Sequence, residues 1–249
     1  MRFQTITVAV LVATSMIAVR PASAVCSNAT FSGVYGYYHG RPGGGSTITA
    51  VVGQITSDGK GDLSGVWTMS SNGTISRGSF DGTYSIAANC TGTMTFATED
   101  TSNAHFNITL DDAHHGFQMM QSDNGFAQPG FGLAQGTVTC GLTGKKATLA
   151  TNFLGFLFST SQIEAISGQV KLNGLGSISG TETLSVGGTI STVPVTGTYT
   201  EGSDCRGSAQ ITPSGFPVTN FDFVVVNGGK ELLLIETDNT TLVPGTAQQ

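Results

Sequence analysis

Apolar and polar residues alternate in short runs along most of this chain. Phe106-Asn107-Ile108-Thr109-Leu110 and Cys90-Thr91-Gly92-Thr93-Met94-Thr95-Phe96 are two of them. A period of two places every second side chain on one face, which is the signature of a half-buried strand. Asp58-Gly59, Asn72-Gly73, Asp81-Gly82, Asn124-Gly125, Asn173-Gly174 and Asn227-Gly228-Gly229 stand between runs as turn signals. Strands are predicted near Tyr35, 50–57, 62–70, 80–87, 91–98, 104–111, 116–122 and 126–134. Past the first two dozen residues no stretch keeps a helical period.

The same pattern returns 115 residues later. Asp58 to Gly65 corresponds to Asn173 to Gly180, and Gly82-Thr83-Tyr84 with Cys90 corresponds to Gly197-Thr198-Tyr199 with Cys205. Laid without a gap over 168–248, residues 53–133 share 22 identities in 81 positions. A unit of that length is too long for a solenoid repeat and suits a complete small domain. The expected organisation is a signal peptide over 1–24, a first domain over 25–137 and a second over 138–249. The copies differ at their starts, and Tyr37 to Gly45 in the first reads as a mobile aromatic loop.

Eight short antiparallel strands close into a barrel or stack as a two-sheet sandwich. Gly65 and Gly180 share the inward parity of Leu63 and Met69, and small inward residues help a narrow barrel turn and taper. The expectation is therefore an all-β protein of two tandem barrels of about eight strands each, with β-sandwiches as the alternative.

Arg2, the apolar run Ile6 to Val19 and Ala22-Ser23-Ala24 have the order of a secretory signal with its cleavage site. Without that segment eight basic residues face 16 acidic ones, which disfavours a nucleic-acid partner. Charged residues are only 10% of the chain, with Gly, Ser and Thr abundant, the composition of strands and tight turns. Four cysteines in an exported chain imply two bridges. Cys26 and Cys90 lie 64 residues apart and Cys140 and Cys205 lie 65 apart, so the copies predict the pairs Cys26–Cys90 and Cys140–Cys205. In the chain-entropy model each such loop closure stabilises by about 4 kcal/mol.

The start Cys26-Ser27-Asn28-Ala29-Thr30-Phe31-Ser32-Gly33-Val34-Tyr35-Gly36, with Gly-Thr-Tyr and a following Cys-x-Gly over 82–93 and 197–208, resembles a group of secreted bacterial Gly/Thr-rich proteins often repeated in tandem. More loosely, the strand pattern is similar to small barrels of the allene-oxide-cyclase and calycin type. These resemblances imply a fold and an exported location, periplasmic, cell-surface or extracellular. They bring no catalytic residue.

Templates for catalysis are missing as well. The chain has no Gly-x-Ser-x-Gly elbow, no His-Glu-x-x-His, no Gly-x-x-x-x-Gly-Lys and no Cys-x-x-Cys. His105, His114 and His115 lie near Asp111 and Asp112, a mixture able to bind a transition ion, yet the counterpart 227–230 is a hairpin tip and a solvated turn is the simpler expectation. Inward parity supplies the remaining candidates. Trp67 is replaced by Glu182 in the second copy and Gln121 by Glu236. A buried carboxylate is costly, so Glu182 and Glu236 should find partners such as Tyr199, reach water at a rim, or face a ligand. The candidate ligand-binding set is Trp67, Tyr84, Gln121, Glu182, Tyr199 and Glu236, with no cofactor or metal. The function expected is a non-catalytic binding or surface-interaction protein whose partner is a small molecule, a glycan or an envelope component. A structural envelope protein, or an enzyme with its site inside the second barrel, is the alternative.

Overall fold

A computed structural model of the protein describes residues 25–40, 48–98, 103–111, 115–125, 128–136 and 140–249. The segment 1–24, Arg41 to Gly45 of the expected loop, Asp112, His114 and the 137–138 boundary lie outside the described residues.

The first barrel comprises β1 (Ser32–Gly40), β2 (Thr49–Asp58), β3 (Asp62–Ser71), β4 (Thr74–Ile86), β5 (Thr91–Thr98), β6 (Ala104–Leu110), β7 (Gly116–Gln121) and β8 (Pro129–Ala134). Each strand pairs antiparallel with the next, and β8 returns to β1 through Tyr35 opposite Ala134 and Tyr37 opposite Gly132. The second comprises β9 (Ala147–Leu157), β10 (Gln162–Leu172), β11 (Ser177–Val186), β12 (Thr189–Glu201), β13 (Arg206–Pro213), β14 (Thr219–Val226), β15 (Glu231–Glu236), β16 (Thr241–Leu242) and β17 (Pro244–Gln248). β16 and β17 together take the eighth place, interrupted at Val243, and both pair with β9 to close the ring. Closure leaves no long unpaired edge, which resolves the choice between barrel and sandwich.

One strand differs from its expected form. Tyr37, Tyr38 and His39 belong to the nine-residue β1, and Tyr37 is fully buried, so they are core and not a mobile loop. The run of Gly and Pro that follows masked a strand whose alternate residues Tyr35, Tyr37 and His39 all point inward. β4 also starts earlier than expected, at Thr74, directly after the Asn72-Gly73 turn.

Both bridges form as the spacing predicted, Cys26–Cys90 and Cys140–Cys205. Each ties the segment preceding its barrel to a hairpin tip. Phe31 is wholly buried behind the first bridge and Leu142 behind the second, so the same end of each barrel is plugged. A chain with both cysteine pairs oxidised belongs to an oxidising compartment. Among the described residues no helix is long and apolar enough to cross a membrane.

Each barrel has its own apolar core, and a third cluster lies between them. Ala50 and Val52 on the outer face of β2 meet Val224, Val226, Leu233 and Ile235 on the outer faces of β14 and β15. Every residue of β15 is buried, since one face lines barrel 2 and the other packs on barrel 1. Polar contacts frame this cluster: Arg77 Nε and Thr68 Oγ1 reach Asp222 Oδ2 at 2.7 and 2.8 Å, and Gln54 Nε2 donates to Asp204 O at 2.6 Å.

Candidate functional site

Strand pairing places the two interiors in one frame. Gly53 sits between Tyr37 and Trp67, and Gly168 sits between Thr151 and Glu182, so Tyr37 corresponds to Thr151 and Trp67 to Glu182. Further inward positions change in the same direction, with Phe80, Met94 and Phe96 standing where barrel 2 has Val195, Ala209 and Ile211. Barrel 1 fills its centre with rings: Phe80 stacks on Phe96 at 4.2 Å between centroids, and Tyr37 and Phe106 pack around them. His39 closes this layer, its Nδ1 3.0 Å from Gln128 Oε1, and burial lowers its pKa to about 4, keeping it neutral. Eight strands enclose just enough room for side chains or for one small ligand, so truncating several of these positions opens space.

Barrel 2 contains that space. A cavity of about 420 Å³ lies inside it, within the range of small-molecule sites. Its walls include Phe153, Ile166, Leu184, Ile211 and Phe221, and it opens between the connections at 158–161, 187–188, 214–218 and 237–240, opposite the disulfide end. Phe216 and Val218 at this mouth are exposed apolar side chains.

Four carboxyl groups line the cavity: Glu164, Glu182, Glu236 and Asp238. Glu182, deeper in the barrel and 3% exposed, accepts a 3.2 Å hydrogen bond from Thr151 Oγ1, while burial raises its pKa despite that bond. Glu164 and Glu236 share the layer nearer the mouth. Glu164 pairs with Gly155 of β9, and the Glu236 N–H bonds Val243 O, next to Gly155 across the barrel wall. A Cβ on Gly155 would approach Leu242 O to 2.1 Å, so glycine is what lets the strands close here. Glu236 is 4% exposed, and its Oε2 is buried with no hydrogen-bond partner. Burial, then the charge of Glu164, raise its pKa to about 8; the Thr241 hydroxyl offsets this in part, and Asp238 adds to the rise. Burial also raises Glu164. Asp238 itself is well satisfied, accepting from Asn220 N and Nδ2 at 2.7 Å each.

The six sequence-derived candidates fall in three places. Glu182 and Glu236 line one cavity, and both are buried. Tyr199 lies towards the plugged end, its hydroxyl donating to Leu142 O at 3.2 Å, and Tyr84 does the same in barrel 1 with Asn28 O at 3.1 Å. Neither tyrosine meets the carboxylates. Trp67 packs half-buried against the barrel 1 core, its indole N–H unpartnered, and Gln121 Nε2 donates to Asp123 Oδ2 at 3.0 Å. Glu164 and Asp238 escaped the sequence reading. Glu164 precedes the ungapped overlay, while Asp238 aligns with Asp123 as an identity and so did not stand out as a difference. His105 Nδ1 pairs with Asp123 Oδ1 at 2.7 Å. Among the described residues no three His, Cys, Asp or Glu side chains gather as metal ligands.

No family model and no curated protein matches the chain. Among solved structures, kievitone hydratase from Nectria haematococca is similar over 91% of this chain and 93% of its own, at 6% identity and a TM-score of 0.29. An AttH-like protein from Nitrosomonas europaea is similar over 87% and 92%, at 6% identity and 0.25. The Myxococcus xanthus hemagglutinin, solved with a mannopentaose, covers 86% and 99% at 16% identity and 0.18. Similarity at these scores carries no argument about this chain.

Proposed function

We propose that the protein is an exported, non-catalytic binding protein that takes a small, largely apolar molecule into barrel 2, with barrel 1 as its structural companion. The observation carrying this reading is that one barrel plan holds Tyr37, Trp67, Phe80 and Phe96 in the first copy and the smaller Thr151, Glu182, Val195 and Ile211 in the second, where Glu182 and Ile211 line a cavity. Filling an interior is the default for a packed protein, so a cavity that keeps two costly buried carboxyls, Glu182 and Glu236, calls for an occupant. A glycan fits less well, because the apolar walls offer few donors to replace the water its hydroxyls would lose.

The reading is tested with N-phenyl-1-naphthylamine, an uncharged probe that brightens in apolar surroundings. The wild-type protein should take it up at one site. Glu182→Trp, which installs the barrel 1 residue, should block uptake while the fold and both bridges persist. Equal uptake by both proteins would place the probe elsewhere and remove the proposal.

A further inference from the structure

We infer that the cavity of barrel 2 selects an amphiphilic amine, with its apolar body against Phe153, Leu184 and Phe221 and its protonated nitrogen against Glu236 and Glu164. This rests on the binding function proposed above and adds the chemical class of the ligand.

The argument begins with a substitution between the barrels. In barrel 1 the Gln121 amide donates to the Asp123 carboxylate, so the polar pair near the barrel end is satisfied internally. Asp238 holds the place of Asp123, and Glu236 holds that of Gln121. Asp238 is satisfied instead by Asn220, and Glu236 Oε2 is left buried without a partner. An orphaned buried acceptor costs its full desolvation, which a donor brought by a ligand would recover. No lysine, arginine or histidine lines the cavity among the described residues, so the positive charge must arrive with the ligand. The carboxyls are distributed along the wall and do not gather as a metal cluster, which favours an extended organic cation over a bare ion.

Charge and proton balance follow from the same groups. Facing Glu236 are Glu164 from β10, Asp238 from the turn after β15 and, deeper, Glu182 from β11. Burial and the charges of Glu164 and Asp238 keep a proton on Glu236 near neutrality. An entering ammonium group favours the carboxylate, and the displaced proton goes to solvent. Each amine bound near pH 7 should therefore release up to about one proton, and binding should tighten as the pH rises towards the pKa of Glu236.

The experiment compares decylamine, decanol and decanoate, which share one apolar chain and differ in head group, by isothermal titration near pH 7 in buffers of different ionisation enthalpy. Decylamine should bind at least about tenfold more tightly than decanol with proton release, and decanoate should not bind. Glu236→Gln should lower decylamine to the level of decanol and abolish the proton release. Comparable binding of all three, or a preference for amine that survives both Glu236→Gln and Glu164→Gln, would overturn the amine class while leaving the cavity as a binding site. Failure of all three together with the naphthylamine probe would overturn the binding function itself.

Discussion

Glu236 carries the clearest consequence at the scale of one residue. Its folded pKa of about 8 lies above the ordinary carboxylate value near 4.5, so the folded protein holds a proton that the unfolded chain has released between those limits. Stability therefore falls as pH rises through that window, by up to about 1.4 kcal/mol per pH unit, and the loss is complete above about 8. Melting of the unliganded protein should occur at a lower temperature near pH 8 than near pH 5. Glu236→Gln should flatten that dependence and melt higher than wild type near pH 8; a variant that melts with the wild-type profile would show that the carboxyl is solvated. Glu164 and Glu182, both raised by burial, act in the same direction and leave a residual slope. The inward direction of Glu182 and Glu236 was legible in the sequence because parity along a strand is read by counting. Parity does not say how far along the barrel a side chain lies. Tyr199 has the right face, and it sits at the plugged end with Leu142, so its grouping with the two glutamates did not follow from the same count.

Among the elements, the β3–β4 hairpin of barrel 1 braces the turn that bears the cavity wall. Gly73 O accepts from Thr240 N at 2.9 Å and Ser70 Oγ donates to Thr241 O at 2.8 Å, while Asp238, Thr240 and Thr241 all line the cavity. Gly73 has φ +79°, and a Cβ there would lie 2.7 Å from the Thr240 Cα. Gly73→Ala should cost about 1–2 kcal/mol in backbone conformation and push the Thr240 turn outwards. The expected outcome is a lower melting temperature together with several-fold weaker uptake of the naphthylamine probe, although Gly73 itself lies outside the cavity lining. Unchanged uptake would mean that the turn is held by barrel 2 alone. The hairpin was visible in the sequence as Asn72-Gly73 between alternating runs, because a tight turn is a local matter of φ. Its contact with Thr240 joins residues far apart in the chain, and local turn chemistry holds no record of it. β1 shows the opposite failure, in that Gly40 and the glycine-rich stretch after it gave a core strand the composition of a loop.

For the whole molecule, the decisive difference between the copies is on their outer faces. Where barrel 1 has Thr109 and Gln118, barrel 2 has Val224 and Leu233, and the runs Val224-Val225-Val226 and Leu232-Leu233-Leu234-Ile235 break the alternation that holds elsewhere. A continuous apolar run marks a strand buried on both faces. That signal was present in the sequence, but strand number and spacing alone did not reveal that the second face packs on the neighbouring barrel. Each barrel retains its own core and its own bridge, so segments 25–137 and 138–249 should each melt cooperatively when produced separately under oxidising conditions. Parting them exposes Val52 on one side and Val224, Val226, Leu233 and Ile235 on the other. The separate halves should therefore melt lower than the intact chain and re-form a one-to-one complex on mixing, seen by size-exclusion chromatography. Leu233 is fully buried between the barrels and contributes nothing to the wall of the cavity. Leu233→Asp should therefore prevent the halves from re-forming the complex while leaving the melt of the isolated second half nearly unchanged. In the intact chain the same substitution should destabilise by several kcal/mol, because it places an unpaired carboxylate in an apolar cluster. Halves that ignore each other when mixed, or a complex that tolerates Leu233→Asp, would show that the barrels are joined by the chain alone and that barrel 1 does not brace the site.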